Sequence, residues 1–180
     1  VTEVGTLLIT IHVGRNVSMA VAGFEDAVEN AVLSSHRSRV LAMAEGEEQI
    51  NHELFRARRF DRPVSLLYLR NSLVPDVKGM FTEQFDLEAA FRRRYLLNRI
   101  AQVVEALTYR SDVIAWHNDN LVICLPETPK DNARSFAQQM HTMLKIRLNV
   151  EMKMGLATFP HDALIFADLI DAALQNPLHF

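Results

Sequence analysis

The residues Val64-Ser65-Leu66-Leu67-Tyr68-Leu69 form a nearly continuous apolar run of strand-forming residues. A strand wetted on one side alternates apolar and polar side chains, whereas an unbroken run needs cover on both faces. Asp61-Arg62-Pro63 stands ahead of it and stops the preceding helical pattern, because proline cannot continue a helix. The chain must therefore lay elements over both sides of a central strand. At 180 residues and 49% hydrophobic, it has enough apolar material for one such core.

The patterning around this strand supplies the layers. From about Phe24 to Phe60 the periodicity is helical, with Val40, Met43, Ile50 and Leu54 close to a heptad seam in which Glu47 takes one place. Gly46 weakens the middle of that helix and marks a kink or break. Asn71 to Phe81, with Pro75 and Gly79, reads as a loop. Phe85 to Leu107 is a long amphipathic helix. Two short apolar runs, Asp112 to Trp116 and Asn120 to Leu125, flank the polar tetrad His117-Asn118-Asp119-Asn120, which is a hairpin by composition and length. Thr128 is expected to cap the next helix, with Pro129 as its first residue. That helix runs to about Ile146, Val150 to Phe159 alternates as a strand, and Ala163 to Leu174 is a last helix. Near the start, Val4 to Val13 also has strand character.

The order helix, strand, helix, hairpin, helix, strand, helix indicates an α/β or α+β sandwich. Its expected form is a central mixed sheet of about five strands flanked by helices and preceded by a long N-terminal helix. Residues 1–35 read as a separate strand and helix segment, the end of an upstream domain or a linker, and 36–180 as the domain itself.

The charge balance is −3, with no basic excess of the kind that nucleic-acid binding requires. Arg92, Arg93 and Arg94 read first as a solvated helix face and second as a phosphate or partner contact. The single cysteine, Cys124, rules out an intrachain disulfide and sits in an apolar run as a small core residue. No apolar stretch reaches the roughly 20 residues that span a bilayer, and no signal-peptide pattern opens the chain. The expected location is cytoplasmic, including the cytoplasmic part of a larger or membrane-anchored protein.

Three stretches carry a resemblance. RARRFDRPVSLLYL at 56–69, SDVIAWHNDNLVICLPET at 111–128 and VEMKMGLATFPHDALIFADLIDAA at 150–173 are similar, in order and spacing, to the first strand, signature hairpin and late strand with final helix of GGDEF domains. These are the diguanylate cyclases, with a nucleotidyl-cyclase-like palm. The resemblance covers about residues 36–175. It implies a mixed sheet flanked by helices and a place in bacterial cyclic di-GMP signalling.

The departures from the family pattern are as informative. In the family, the hairpin tip reads Gly-Gly-Asp/Glu-Glu-Phe. The glycines admit the nucleotide and the acidic residues hold metal and stabilise the attacking hydroxyl. The matching residues here are His117, Asn118, Asp119, Asn120 and Leu121, after a segment one residue shorter. Arg70 stands where the family places a metal-binding aspartate at the end of its first strand. Two-metal phosphoryl transfer requires oxygen ligands on a divalent cation, and a guanidinium repels one. The family's nucleotide-gripping lysine and asparagine are not recognisable in Asn71 to Phe81. The resemblance thus implies a degenerate domain, a pseudoenzyme without catalytic residues, metal or cofactor.

The family's inhibitory product site, Arg-x-x-Asp, is matched at Asp112, but Tyr109 holds the arginine position and Arg110 is one residue late. Arg110 and Asp112 then form either a surface pair or, with Tyr109, a weak cyclic di-GMP site. The leading expectation is a non-catalytic regulatory module with a protein partner, signal entering through the N-terminal helix. Two alternatives are a cyclic di-GMP receptor and a residual nucleotide-processing enzyme that depends on Asp119. Homodimerisation through the seam at Val40, Met43, Ile50 and Leu54 competes with packing of that seam inside the domain. Among other groupings, His117 with Asp119 lacks a third ligand, and Ser34-Ser35-His36 lacks the glycines of a nucleophile elbow. Trp116 either caps the sheet edge or fills the nucleotide pocket.

Overall fold

A computed structural model of the chain describes residues 38–70 and 83–180, with the side chains of 83–92 left out. The strand expected at Val4 to Val13, the helix before residue 38 and the loop from Asn71 to Phe81 lie outside the described residues. The elements run α1 (Met43–Phe60), β1 (Val64–Arg70), α2 (Glu83–Leu107), β2 (Val113–His117), β3 (Asn120–Pro126), α3 (Lys130–Leu148), β4 (Lys153–Phe159) and α4 (Phe166–Gln175).

Among the described residues the sheet has four strands in the order β2-β3-β1-β4, and every neighbouring pair is antiparallel. The α+β sandwich is as expected; the described strands pair antiparallel where a mixed sheet was expected, and the fifth expected strand, Val4 to Val13, lies outside the described residues. Helices between strands suggest parallel neighbours, but each crossover here skips a strand. The chain leaves β1 through α2 and reaches β2, with β3 between them; it leaves β3 through α3 and reaches β4 on the far side of β1. This β-α-β-β-α-β arrangement keeps the strands joined by helices parallel without making them adjacent.

As its unbroken apolar run requires, β1 is central and buried along Val64 to Leu69. One face of the sheet, carrying Leu67, Leu69, Ile114, Leu121, Ile123, Met154 and Leu156, packs under α2 and α3 through Ile100, Val104, Ala137, Met140 and Leu144. The other, carrying Leu66, Tyr68, Val122, Cys124 and Ala157, packs under α1 and α4 through Ile50, Leu54, Leu169 and Ala173. Each such large side chain, once fully buried, stabilises the fold by about 1.5–3 kcal/mol.

The helix before β1 begins at Met43. Residues 38–41 are not helical: Leu41 forms a parallel bridge to Ala115, donating to the Ile114 carbonyl at 2.9 Å and accepting from the Trp116 N–H at 3.0 Å. Val40 therefore leaves the proposed heptad seam. Ile50 and Leu54, 0% and 4% exposed, are consumed by the domain's own core. These two seam positions thus serve the domain's own core.

Gly46 does not break α1. A Cβ there would fall 2.3 Å from Ala115 Cβ, so the glycine allows helix and sheet to approach. α1 ends at Asp61, in the left-handed region with φ 51°, whose N–H donates to Ala57 O. Pro129 caps α3 and precedes its first residue, while Thr128 Oγ1 donates to Pro126 O at 2.9 Å. The late strand and last helix begin at Lys153 and Phe166, each three residues later than expected. Beyond α4, Leu178 N–H donates to Met154 O at 2.7 Å, so the tail covers the outer edge of β4. Leu41 covers the edge of β2 in the same way.

Candidate functional site

The site that the sequence singles out forms where the end of β1 meets the β2–β3 turn. The hairpin ladder runs from Val113↔Cys124 to His117↔Asn120, leaving Asn118 and Asp119 as the turn. Asn118 has φ 56°. Two-residue hairpins need left-handed backbone, and asparagine tolerates it better than most residues. The turn is thereby made without glycine. Asn120 Nδ2 donates to the His117 carbonyl at 3.3 Å, tying the two ends of the turn together.

Alternation along β1 sets Leu66, Tyr68 and Arg70 on one face. The Tyr68 hydroxyl lies 3.0 Å from His117 Nδ1, and the rings meet edge to face at 5.7 Å. Burial raises the Tyr68 hydroxyl above its ordinary pKa, against smaller opposing effects of a hydrogen bond from Asn120 and the charge of Arg70. The phenol keeps its proton at neutral pH, and its hydroxyl and the His117 Nδ1 share one hydrogen bond. Tyr68, His117 and Asn120 thus form one hydrogen-bonded cluster at the turn.

Arg70 is exposed and lies directly across the ladder from Lys153, also exposed. Asp119, the acidic residue retained in the turn, is ion-paired with Arg93 of α2. Among the described residues, the donors at this edge do not suit a divalent cation: the one carboxylate is ion-paired, and the other groups are an imidazole bonded to a phenol, an amide and two cations. No group of three or more His, Cys, Asp or Glu side chains that could hold a metal ion occurs among the described residues. Leu121 is fully buried and serves the core. Trp116 packs at the sheet margin against the face covered by α2 and α3.

Tyr109, Arg110 and Asp112 follow α2. The Asp112 carboxylate accepts the Tyr109 N–H at 2.7 Å, and the Asp112 N–H donates to Tyr109 O at 3.1 Å. Burial raises the Asp112 pKa, partly offset by the Tyr109 hydrogen bond and by the charge of Arg39. Among the described residues Arg110 makes no ion pair with Asp112, which corrects the expected surface pair. The carboxylate folds back into its own turn because the Tyr109 N–H needs an acceptor there. Tyr109 itself is 77% exposed.

Arg39 is the cation that serves this corner. It donates to Tyr109 O at 2.9 Å and to Thr108 Oγ1 at 2.8 Å, while Glu105 Oε1 accepts its N–H at 3.0 Å. A guanidinium at the carboxyl end of a helix meets unsatisfied carbonyls and the negative end of the helix dipole. Sequence reasoning placed Arg93 in a basic run without its partner Asp119 and missed Tyr68, Lys153 and Arg39. Alternation from Arg70 was enough to find Tyr68; the others act across long sequence separations that no local pattern signals.

No protein-family model matches the sequence, and no curated protein does. Solved structures do match. The chain is similar to the GGDEF domain of YfiN (TpbB) from Pseudomonas aeruginosa, with TM-score 0.60 at 18% identity, covering 76% of this chain and 86% of that one. It is similar to the coiled coil and GGDEF domain of DgcB from Caulobacter crescentus, solved in complex with c-di-GMP, with TM-score 0.60 at 9% identity, covering 89% and 87%. It also resembles the diguanylate cyclase SiaD from Pseudomonas aeruginosa, solved with its activator SiaC, with TM-score 0.58 at 14% identity, covering 89% and 65%. At these identities the likeness is one of fold, and it agrees with the three sequence stretches and the strand order: the chain has the fold of a GGDEF domain.

Proposed function

We propose that this chain is a catalytically silent GGDEF-fold module of cyclic di-GMP signalling that works by binding rather than by turnover. One observation carries the reading. The strand end that aligns with the family's metal-binding aspartate presents Arg70 beside Lys153. Two supports stand with it. Asp119 is held by Arg93, and the position of the family's glutamate is Asn120, which bonds within the turn. Phosphoryl transfer needs a divalent cation to neutralise developing charge and a carboxylate to orient the attacking hydroxyl. Among the described residues, neither role has a residue at this edge.

The partner class is a protein. SiaD, with the same fold, is solved with a protein activator, which motivates this choice. The bridge from Leu41 to β2 links the start of the domain to the strand that ends at the turn, since β2 ends at His117. A receptor for cyclic di-GMP through Tyr109 and Arg110 is the second reading. It is favoured by the exposure of Tyr109 and weakened by the engagement of Asp112 with backbone.

Incubation of the chain with GTP and Mg²⁺ or Mn²⁺, followed by chromatography of the nucleotides, tests the leading reading. No cyclic dinucleotide is expected. Product whose formation is lost in Asp119→Ala would overturn it. Calorimetry with cyclic di-GMP tests the second reading: heat that disappears in Arg110→Ala would favour it.

A further inference from the structure

Loss of a metal site requires only that the aspartate at the strand end be replaced. Any neutral residue would do. This chain instead sets two cations side by side: Arg70 and Lys153 are direct cross-strand partners on β1 and β4. Side chains at such positions start about 4.5–5.5 Å apart, and like charges there destabilise the sheet. Neither cation is paired with a carboxylate among the described residues, whereas Arg56, Arg62, Arg93, Lys130 and Lys145 each have one. Both side chains are exposed and free to meet a ligand.

The surroundings continue the pattern. Tyr68 precedes Arg70 on the same face, close enough for the charge of Arg70 to act on its hydroxyl. That hydroxyl is engaged with His117 Nδ1, which fixes the imidazole at the same end of the sheet. The one carboxylate of the turn, Asp119, is neutralised by Arg93. The edge therefore carries two exposed cations, and the carboxylate of the adjoining turn is ion-paired. Guanidinium and ammonium groups are the usual protein partners of phosphate oxygens.

We infer that the strand end formed by Arg70 and Lys153 is a metal-independent binding site for the phosphate groups of a phosphate-bearing ligand. The fixed charges take over the neutralisation that a divalent cation supplies in a metal-dependent site. The relief of repulsion between them adds to the attraction for the anion. This rests on the reading that no metal docks at this edge, and it names the ligand class that a binding module of this kind would take.

The test is calorimetry on the full chain in EDTA with inorganic pyrophosphate, GTP and cyclic di-GMP as separate titrants. Fluorescence of Trp116, the chain's one tryptophan and the neighbour of His117, serves as a parallel readout. Saturable pyrophosphate binding is expected, weakened at least tenfold in Arg70→Gln and in Lys153→Gln and unchanged in Arg56→Gln. Tighter binding of one nucleotide than of pyrophosphate would identify the base-bearing ligand as the natural occupant; equal binding would leave free phosphate groups as the determinant. In thermal melts without ligand, Arg70→Gln should match or exceed the unsubstituted chain, and pyrophosphate should raise the midpoint only of the latter. Absence of saturable binding at millimolar pyrophosphate, equal affinity in Arg70→Gln, or binding that appears only on adding Mg²⁺ would overturn the inference. Turnover of GTP with Mg²⁺ would overturn the metal-free reading beneath it. Absent binding together with absent turnover would remove this inference and leave that reading standing.

Discussion

At the scale of single residues, the two described close approaches of glycine are not equivalent. A Cβ on Gly155 would fall 1.8 Å from the backbone carbonyl oxygen of Ala173, which can move only with α4. Gly155→Ala is expected to cost about 3 kcal/mol or more, since overpacking against rigid backbone lies at the top of its usual range. Gly46→Ala meets a side-chain methyl, and better helix propensity returns about 1 kcal/mol, so its net cost should be about 1–2 kcal/mol. Urea denaturation of the two variants checks the order. Sequence alone reads Gly46 as a weak point in a helix, because its partner Ala115 is remote in the chain. Asp112 gives a pH signature. Its folded pKa is raised by burial, so the folded state binds the proton more tightly than the unfolded chain does. Stability from this residue is present below the unfolded value, about 3.9, and is lost as pH rises through the higher folded value. The stability difference between the unsubstituted chain and Asp112→Asn should therefore shift against the former across that window and flatten above it. A pH-independent difference would contradict the assignment. Burial also pushes the Cys124 thiol far up, so maleimide labelling should require unfolding.

At the scale of elements, patterns that depend on local chemistry were legible and those that depend on tertiary contact were not. The central strand, the hairpin and the two helices after it follow from apolar run length, alternation and period. The start of α1 does not, because Val40 and Leu41 fit a helical period yet are drawn out by hydrogen bonds to β2. Thr128 looks like a cap by residue type, but its hydroxyl is used by Pro126. The clamp of Arg39 on the end of α2 joins residues far apart in sequence and had no local signal. It yields a prediction at this scale. Arg39→Ala removes charge-assisted bonds to Tyr109 O and Thr108 Oγ1 and should cost about 1–2 kcal/mol, allowing for partial exposure. Hydrogen exchange should quicken at the Leu41 and Trp116 amides, which form the bridge beside the clamp. Unchanged exchange there would separate the clamp from the bridge.

At the scale of the molecule, the three-layer fold was legible because an unbroken strand needs two covering layers, while the strand order was not. Helical crossovers between strands suggest parallel neighbours, and only the structure shows that both crossovers skip a strand. The apolar face of α1 was equally ambiguous in sequence, since one stripe suits a second chain or the chain's own sheet; Ile50 and Leu54 choose the sheet. The light-scattering mass of residues 38–180 should accordingly be the same with and without Ile50→Val. No helix among the described residues is long and apolar enough to cross a membrane. The departures that define the site were visible because they are substitutions at matched positions: Arg70, Asn118 and Asn120. What they do together was visible only in three dimensions, where Arg70 meets Lys153 and Asp119 meets Arg93. The central claim is that two fixed cations stand where a divalent ion would dock. Electron paramagnetic resonance of free Mn²⁺ titrated into the chain tests this directly. The account predicts no stoichiometric depletion of the free-ion signal, and one saturable Mn²⁺ site per chain that disappears in Asp119→Ala would contradict it.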